Sequence, residues 1–153
     1  GNIIDEKKVF FNNKQYMPEI YKKVLKCFLL QAKNILFKIE TKKKINLKNY
    51  KHGEYFRKRF FSDGKLNFNS TCNYNYNLIR ALCHPYPGAH LKVKNKIFKI
   101  WRSTYKKETK IKEYPGKIIK IDNKKIVIQC IDGKISLLNH KINLNIFKNI
   151  KFL

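Results

Sequence analysis

The chain has 153 residues, 43% of them apolar, enough for one ordinary domain or for part of one joined to a small module. No apolar run approaches the roughly 18 residues that span a bilayer, and nothing at the front has the layout of a signal peptide. The formal charge of +25 favours polyanionic partners, yet nearly all of it is Lys, with Arg only at 57, 59, 80 and 102.

Phosphate and base recognition leans on arginine forks as well as on lysine. Asn and Ile are abundant too, so the lysines read first as compositional drift over solvated faces and second as a polyanion site. Cys27, Cys72, Cys83 and Cys130 lie far apart with no C-x-x-C pair, which argues against a zinc site and fits reduced thiols in a cytoplasmic protein. Cys83 and His84 are adjacent, and neighbours on an extended segment point to opposite sides. They read as a packed thiol beside a turn histidine.

In chain order, Asn2 to Asp5 and Val9 to Phe11 read as short strands around a charged turn. Beginning on Gly in mid-pattern, the chain is expected to be a fragment whose upstream part is missing. Pro18 suits a first helical turn, because its missing N–H has no partner there anyway. Ile20, Tyr21, Val24, Phe28, Ala32, Ile35, Leu36 and Ile39 then recur at three and four, predicting a helix to about Lys38 laid on a sheet or core.

Thr41 to Phe56 reads as a surface connection, with one short strand at most and a turn at His52-Gly53. The basic cluster Arg57-Lys58-Arg59 runs through Phe60-Phe61-Ser62 into the turn dipeptide Asp63-Gly64. Two of the four arginines sit here, so a solvated loop and an anion-binding loop are both open. Ser70 or Thr71 can cap a second helix whose buried face is Cys72, Tyr76, Ile79 and Leu82 or Cys83. It must stop by His84, before Pro85. Arg80, near its C-terminal end, can either tie down carbonyls of the Pro-Tyr-Pro turn or meet a ligand.

The remainder reads as β. Ala89 to Val93 and Ile97 to Trp101 flank one turn, and Lys117 to Ile121 and Lys125 to Ile131 flank a second. Asp132-Gly133 leads into Lys134 to Leu138 as a strong hairpin dipeptide. Five or so short strands predict a small barrel or sandwich, and Lys141 to Leu153 a tail.

The run Asn77 to Leu82, then Pro85-Tyr86-Pro87-Gly88-Ala89, then Lys96 to Trp101, resembles the folate-dependent formyltransferases. That family includes the sugar-nucleotide N-formyltransferases and methionyl-tRNA formyltransferase. Gly1 to Ile4 looks like the strand after the family's catalytic aspartate, and Pro115 to Ile118 with Asp132-Gly133 looks like its C-terminal, OB-like β module. The resemblance runs from Gly1 to about Leu138. It implies an α/β part followed by β: the C-terminal part of a Rossmann-like formyltransferase domain over 1–57, a linking helix and OB-like module over 58–140, and a tail over 141–153.

The resemblance implies transfer of a formyl group from 10-formyltetrahydrofolate to an amine, using an Asn-His-Asp trio expected upstream of Gly1. His52, His84, His90 and His140 do not match the family histidine, so no catalytic residue is carried over and these residues alone are expected to be inactive. In the sugar-nucleotide branch the segment before the linking helix is similar to Lys-Arg-x-Pro-Glu-Asp-Gly-x-Ile-x-Trp. Lys58, Arg59, Asp63, Gly64 and Leu66 match it, while Phe61, Ser62 and Phe68 depart. His84-Pro85-Tyr86-Pro87-Gly88-Ala89 is also closer to that branch, since the tRNA enzymes more often carry Asn-Pro-Trp-Pro.

The implied substrate is an amino-sugar nucleotide, with Arg59, Asp63, Arg80 and Tyr86 as substrate-binding residues. Arg59 suits diphosphate oxygens and Tyr86 the nucleotide. Transfer to charged tRNA is the same-family alternative. A basic OB-like nucleic-acid-binding module is the alternative from another class. A cytoplasmic enzyme, with a homodimer among its assemblies, completes the expectation.

Overall fold

The computed structural model describes residues 2–49, 53–93, 95–122 and 125–138. They fall into two units, Gly1–Lys58 and Arg59–Leu153.

The first unit is built on α1, Met17–Glu40, which begins beside Pro18 as the sequence predicts. The Glu19 carboxylate accepts the Tyr16 N–H at 2.9 Å, and the Thr41 hydroxyl donates to the Phe37 carbonyl at 2.6 Å. The first closes a backbone donor that the helix end leaves open, and the second adds to the bond that the Phe37 carbonyl already takes from the Thr41 N–H. The apolar stripe forms, but it buries no side chain: Phe28 is 61% exposed and Leu36 58%. The strands expected over Asn2 to Asp5 and Val9 to Phe11 do not form. Ile3 pairs with Lys48 in one antiparallel bridge, with N···O distances of 2.8 and 3.0 Å. A strand without a neighbour gains no ladder, and the sequence pattern alone cannot supply one. His52 of the expected turn lies outside the described residues. Among those residues no helix is long and apolar enough to cross a membrane.

In the second unit Thr71 caps α2, Cys72–Leu82, its hydroxyl accepting the Tyr74 N–H at 3.1 Å. The buried face is Cys72, Asn75, Ile79 and Leu82, with Cys83 buried just beyond. Tyr76, expected on that face, is half-buried and instead meets the Tyr105 ring at 5.2 Å. The helix ends before Pro85, as the pre-proline restriction requires.

Two antiparallel sheets follow. β1, Ala89–Val93, pairs with β2, Lys96–Ile100. The larger sheet joins β3, Arg102–Lys107, β4, Ile118–Ile121, β5, Lys125–Cys130, and β6, Gly133–Leu138, in the order β3-β6-β5-β4. The β5–β6 hairpin turns at Ile131-Asp132, so Cys130 lies opposite Gly133 and Ile128 opposite Ile135. Alternation places Ile126, Ile128, Ile135 and Leu137 on one face, all fully buried. Each such side chain stabilises the unit by about 1.5–3 kcal/mol. Parts of the two other expected turns, at Lys94 and at Asn123-Lys124, and the expected tail lie outside the described residues.

The helix is tied to the sheet at its first turn by a backbone-to-side-chain hydrogen bond. Asp132 accepts the Cys72 N–H at 2.6 Å, so the β5–β6 turn supplies an acceptor to the first turn of α2. Asp132→Ala is expected to cost about 1–2 kcal/mol and Asp132→Asn much less, because the amide oxygen can still accept. Equal losses in urea denaturation of the two variants would dismiss that hydrogen bond. The Cys72 thiol is held far above its ordinary pKa by its hydrogen bond with Cys130 and by burial. It is a packing group, in keeping with reduced thiols in the core.

Candidate functional site

The basic cluster ends in a one-turn 3-10 helix, Phe61–Gly64. Asp63 reaches back and accepts the Phe60 N–H at 2.8 Å, so its carboxylate shapes the turn that follows Arg59. Arg59 itself is exposed, as are Phe60 and Phe61. Lys65 then bridges to His90 in a parallel pairing, and the His90 carbonyl accepts the Leu66 N–H at 3.0 Å. The loop is therefore stitched along the start of β1.

At Gly64 the fit is close. A Cβ there would stand 3.2 Å from the His90 Nδ1 and 3.4 Å from the Gly88 carbonyl oxygen. The arginine-bearing loop and the Pro-Tyr-Pro-Gly turn thus pack against each other through two glycines. The latter turn is closed by its own backbone, Tyr86 N–H to the Cys83 carbonyl at 3.1 Å and Gly88 N–H to the Leu82 carbonyl at 2.9 Å. Gly88 has a φ of +89°, which glycine adopts without strain, and a Cβ there would meet the Trp101 ring at 2.9 Å.

Around this junction lie flat rings and cations. His84 stacks on Trp101 with centroids 4.0 Å apart, and Phe61 stacks on His90 at 4.1 Å. The Lys99 ammonium lies 5.8 Å from the Trp101 ring centre. Lys99 is also the cross-strand partner of His90. Burial, with the charges of Lys65 and Lys99 adding to it, lowers the His90 pKa from its ordinary value. Cations that repel a proton from a histidine attract an anion by the same Coulomb interaction.

Of the four residues singled out in the sequence, Arg59 and Asp63 bracket the start of this 3-10 turn, and Tyr86 stands exposed on the turn packed beside it. The Nε of Arg80 donates to the Asn77 side chain at 2.8 Å, one turn back along α2. Sequence reasoning missed Lys65, Lys99 and the two ring stacks. The trace they leave is compositional: aromatic residues adjoin basic ones in Arg57 to Phe61 and again in Lys96 to Arg102.

Residues 61–146 match the family profile described as Formyl transferase, C-terminal domain. Among curated proteins, the Bifunctional polymyxin resistance protein ArnA of Wigglesworthia glossinidia brevipalpis is 30% identical over 142 residues, 91% of this chain and 21% of that protein. The Methionyl-tRNA formyltransferase of Ruminiclostridium cellulolyticum is 29% identical over 75 residues, 48% of this chain and 24% of that protein. The chain therefore spans between a fifth and a quarter of the length of these relatives. Among solved structures, HypX from Aquifex aeolicus in complex with tetrahydrofolic acid superposes with a TM-score of 0.63 at 16% identity, over 92% of this chain and 24% of that one.

Proposed function

Because the chain belongs to the formyltransferase family, whose C-terminal domain it carries, we propose that it serves an N-formyltransferase acting on an amino-sugar nucleotide. In this reading residues 58–140 form the linking helix and C-terminal module, and 1–57 belong with the catalytic domain. The one-carbon donor is 10-formyltetrahydrofolate. The observation that carries the substrate is the packing of Gly64 against Gly88 and His90. It joins the loop of Arg59 to the Pro-Tyr-Pro-Gly turn, the two stretches whose wording favours the sugar-nucleotide branch. Cations beside exposed flat rings suit a ligand with both phosphates and a base.

No described side chain is assigned to the folate. Both histidines of the site pack against other rings, His84 on Trp101 and His90 on Phe61. The chain's own residues bind and orient the acceptor nucleotide, with Arg59 on the diphosphate and Tyr86 beside the nucleoside. No transfer step is routed through them.

In the full-length protein, Arg59→Ala is expected to raise KM for the nucleotide substrate about tenfold or more, leaving KM for the folate within about twofold. An unchanged nucleotide KM would return Arg59 to the solvated surface. A full-length protein that formylates charged initiator tRNA but no amino-sugar nucleotide would replace this reading with the tRNA one.

A further inference from the structure

We propose that His90 is the positioning residue of the arginine-bearing loop, its ring holding the 3-10 turn, and with it Arg59 and Asp63, in the geometry that receives the nucleotide. This rests on the reading above for its ligand, but the contact itself does not. His90, the second residue of β1, is 3% exposed, although Lys92, two residues further along the strand, is exposed. One ring face carries Phe61 at an interplanar angle of 18°. Its Nδ1 faces Gly64 so closely that a Cβ there would stand 3.2 Å away, a tight contact. Its carbonyl holds Leu66 just beyond the turn. The loop is thus fixed on β1 by one side chain and one carbonyl of a single residue.

The same geometry makes the hold depend on protonation. The buried Nδ1 has no hydrogen-bond partner among the described residues. A proton there places a donor and a charge where no acceptor faces it. The charged groups around the ring are Lys65, directly after the 3-10 turn, and Lys99 on β2, both cationic. The turn's own carboxylate, Asp63, is already bonded to the Phe60 N–H. With a folded pKa below the ordinary value of about 6.5, the native loop binds fewer protons than the open one. Its hold is therefore complete above about pH 6.5 and weakens as pH falls through the folded pKa.

The test compares full-length wild-type protein with His90→Phe, which keeps a ring for Phe61, and His90→Gln, which does not; neither replacement titrates. Tryptic cleavage after Arg59 reports loop opening without reference to any substrate. Normalised to His90→Phe at the same pH, wild-type cleavage is expected to rise about threefold or more between about pH 7.5 and about pH 5.5. His90→Gln is expected to be cut faster at both. Nucleotide KM should follow the same pattern, rising in wild type at the lower pH and staying flat in His90→Phe, with kcat unchanged. Wild-type cleavage with no pH dependence beyond that of His90→Phe overturns the proposal. Cleavage that follows the pattern while nucleotide KM ignores it leaves His90 holding the loop and overturns the loop's role in nucleotide binding.

Discussion

Gly133→Ala is expected to cost about 3 kcal/mol or more, enough to unfold much of the second unit at moderate urea. Gly133 has a φ of +151°, a conformation L side chains rarely adopt. It also lies between two strands, paired with Lys107 on β3 and with Cys130 on β5. A Cβ would fall 2.7 Å from the Lys107 Cα and closer still to the Lys106 carbonyl oxygen. Both are backbone atoms of a paired strand, so relief means moving β3 itself. The shift would also reach the Gly133 carbonyl, which accepts the buried Gln129 amide at 2.8 Å. Gly53 is the control, because a Cβ there meets nothing within 4 Å. Gly53→Ala should stay within about 0.5 kcal/mol of wild type. A Gly133→Ala protein that melts with the Gly53→Ala protein would mean that the close approach is not a constraint.

The β5–β6 hairpin was legible because a turn dipeptide sat between two apolar runs, although the turn falls one residue earlier than expected, at Ile131-Asp132, with Gly133 already paired in β6. The Thr71 cap and the stop at Pro85 were legible for a similar reason, since both act within a few residues. β3 was not. Arg102-Ser103-Thr104-Tyr105-Lys106-Lys107 offers no apolar alternation, and only Ser103 among its residues is buried. It is a strand because β6 lies beside it from Arg102↔Leu138 to Lys107↔Gly133, a pairing across more than twenty residues of sequence. A polar edge strand is also what keeps a sheet from pairing with a second molecule. The expected strands at Asn2 to Asp5 and Val9 to Phe11 failed in the opposite sense: their composition was right, and no ladder was there to join.

The site divides along the same line. Arg59 and Asp63 could be chosen from sequence because they stand in a short run with its own wording. Asp63 then proved to cap its turn, which a Phe60-to-Asp63 spacing of three allows and no substrate role requires. His90 carried no local signal, being one of two polar residues in a short expected strand. Its meaning comes from Phe61 and Gly64, a distance of nearly thirty residues away in sequence, brought over it by the Lys65 bridge.

Asn75→Ala is expected to destabilise the second unit by about 2–4 kcal/mol, although no charge is lost and the helix propensity of Ala is higher. Sequence periodicity had put Tyr76 on the buried face of α2, whereas its neighbour Asn75 is the one fully buried there, with Cys72 and Ile79. Its amide is the hub that joins the helix to the segment before it. The side-chain oxygen accepts the Asn67 N–H at 3.1 Å, and the nitrogen donates to the Asn67 carbonyl at 2.8 Å and the Thr71 carbonyl at 3.3 Å. It also approaches the Cys130 sulfur of β5 at 3.8 Å. Truncation therefore strands both backbone groups of Asn67 and leaves a small cavity, each a cost in a buried setting. Asn75→Asp separates the two halves of the amide: it keeps an acceptor for Asn67 N–H, loses both donations and buries an acid. It should be no more stable than Asn75→Ala if the donations matter. Native-state hydrogen exchange offers the sharper reading. The Asn67 amide should lose protection in Asn75→Ala and keep more of it in Asn75→Asp, at conditions where Ile135 in β6 stays protected in both. Equal protection of Asn67 in wild type and Asn75→Ala would show that the segment before α2 is held without the Asn75 amide, through the burial of Leu66 and Phe68 and the Leu66 N–H bond to the His90 carbonyl.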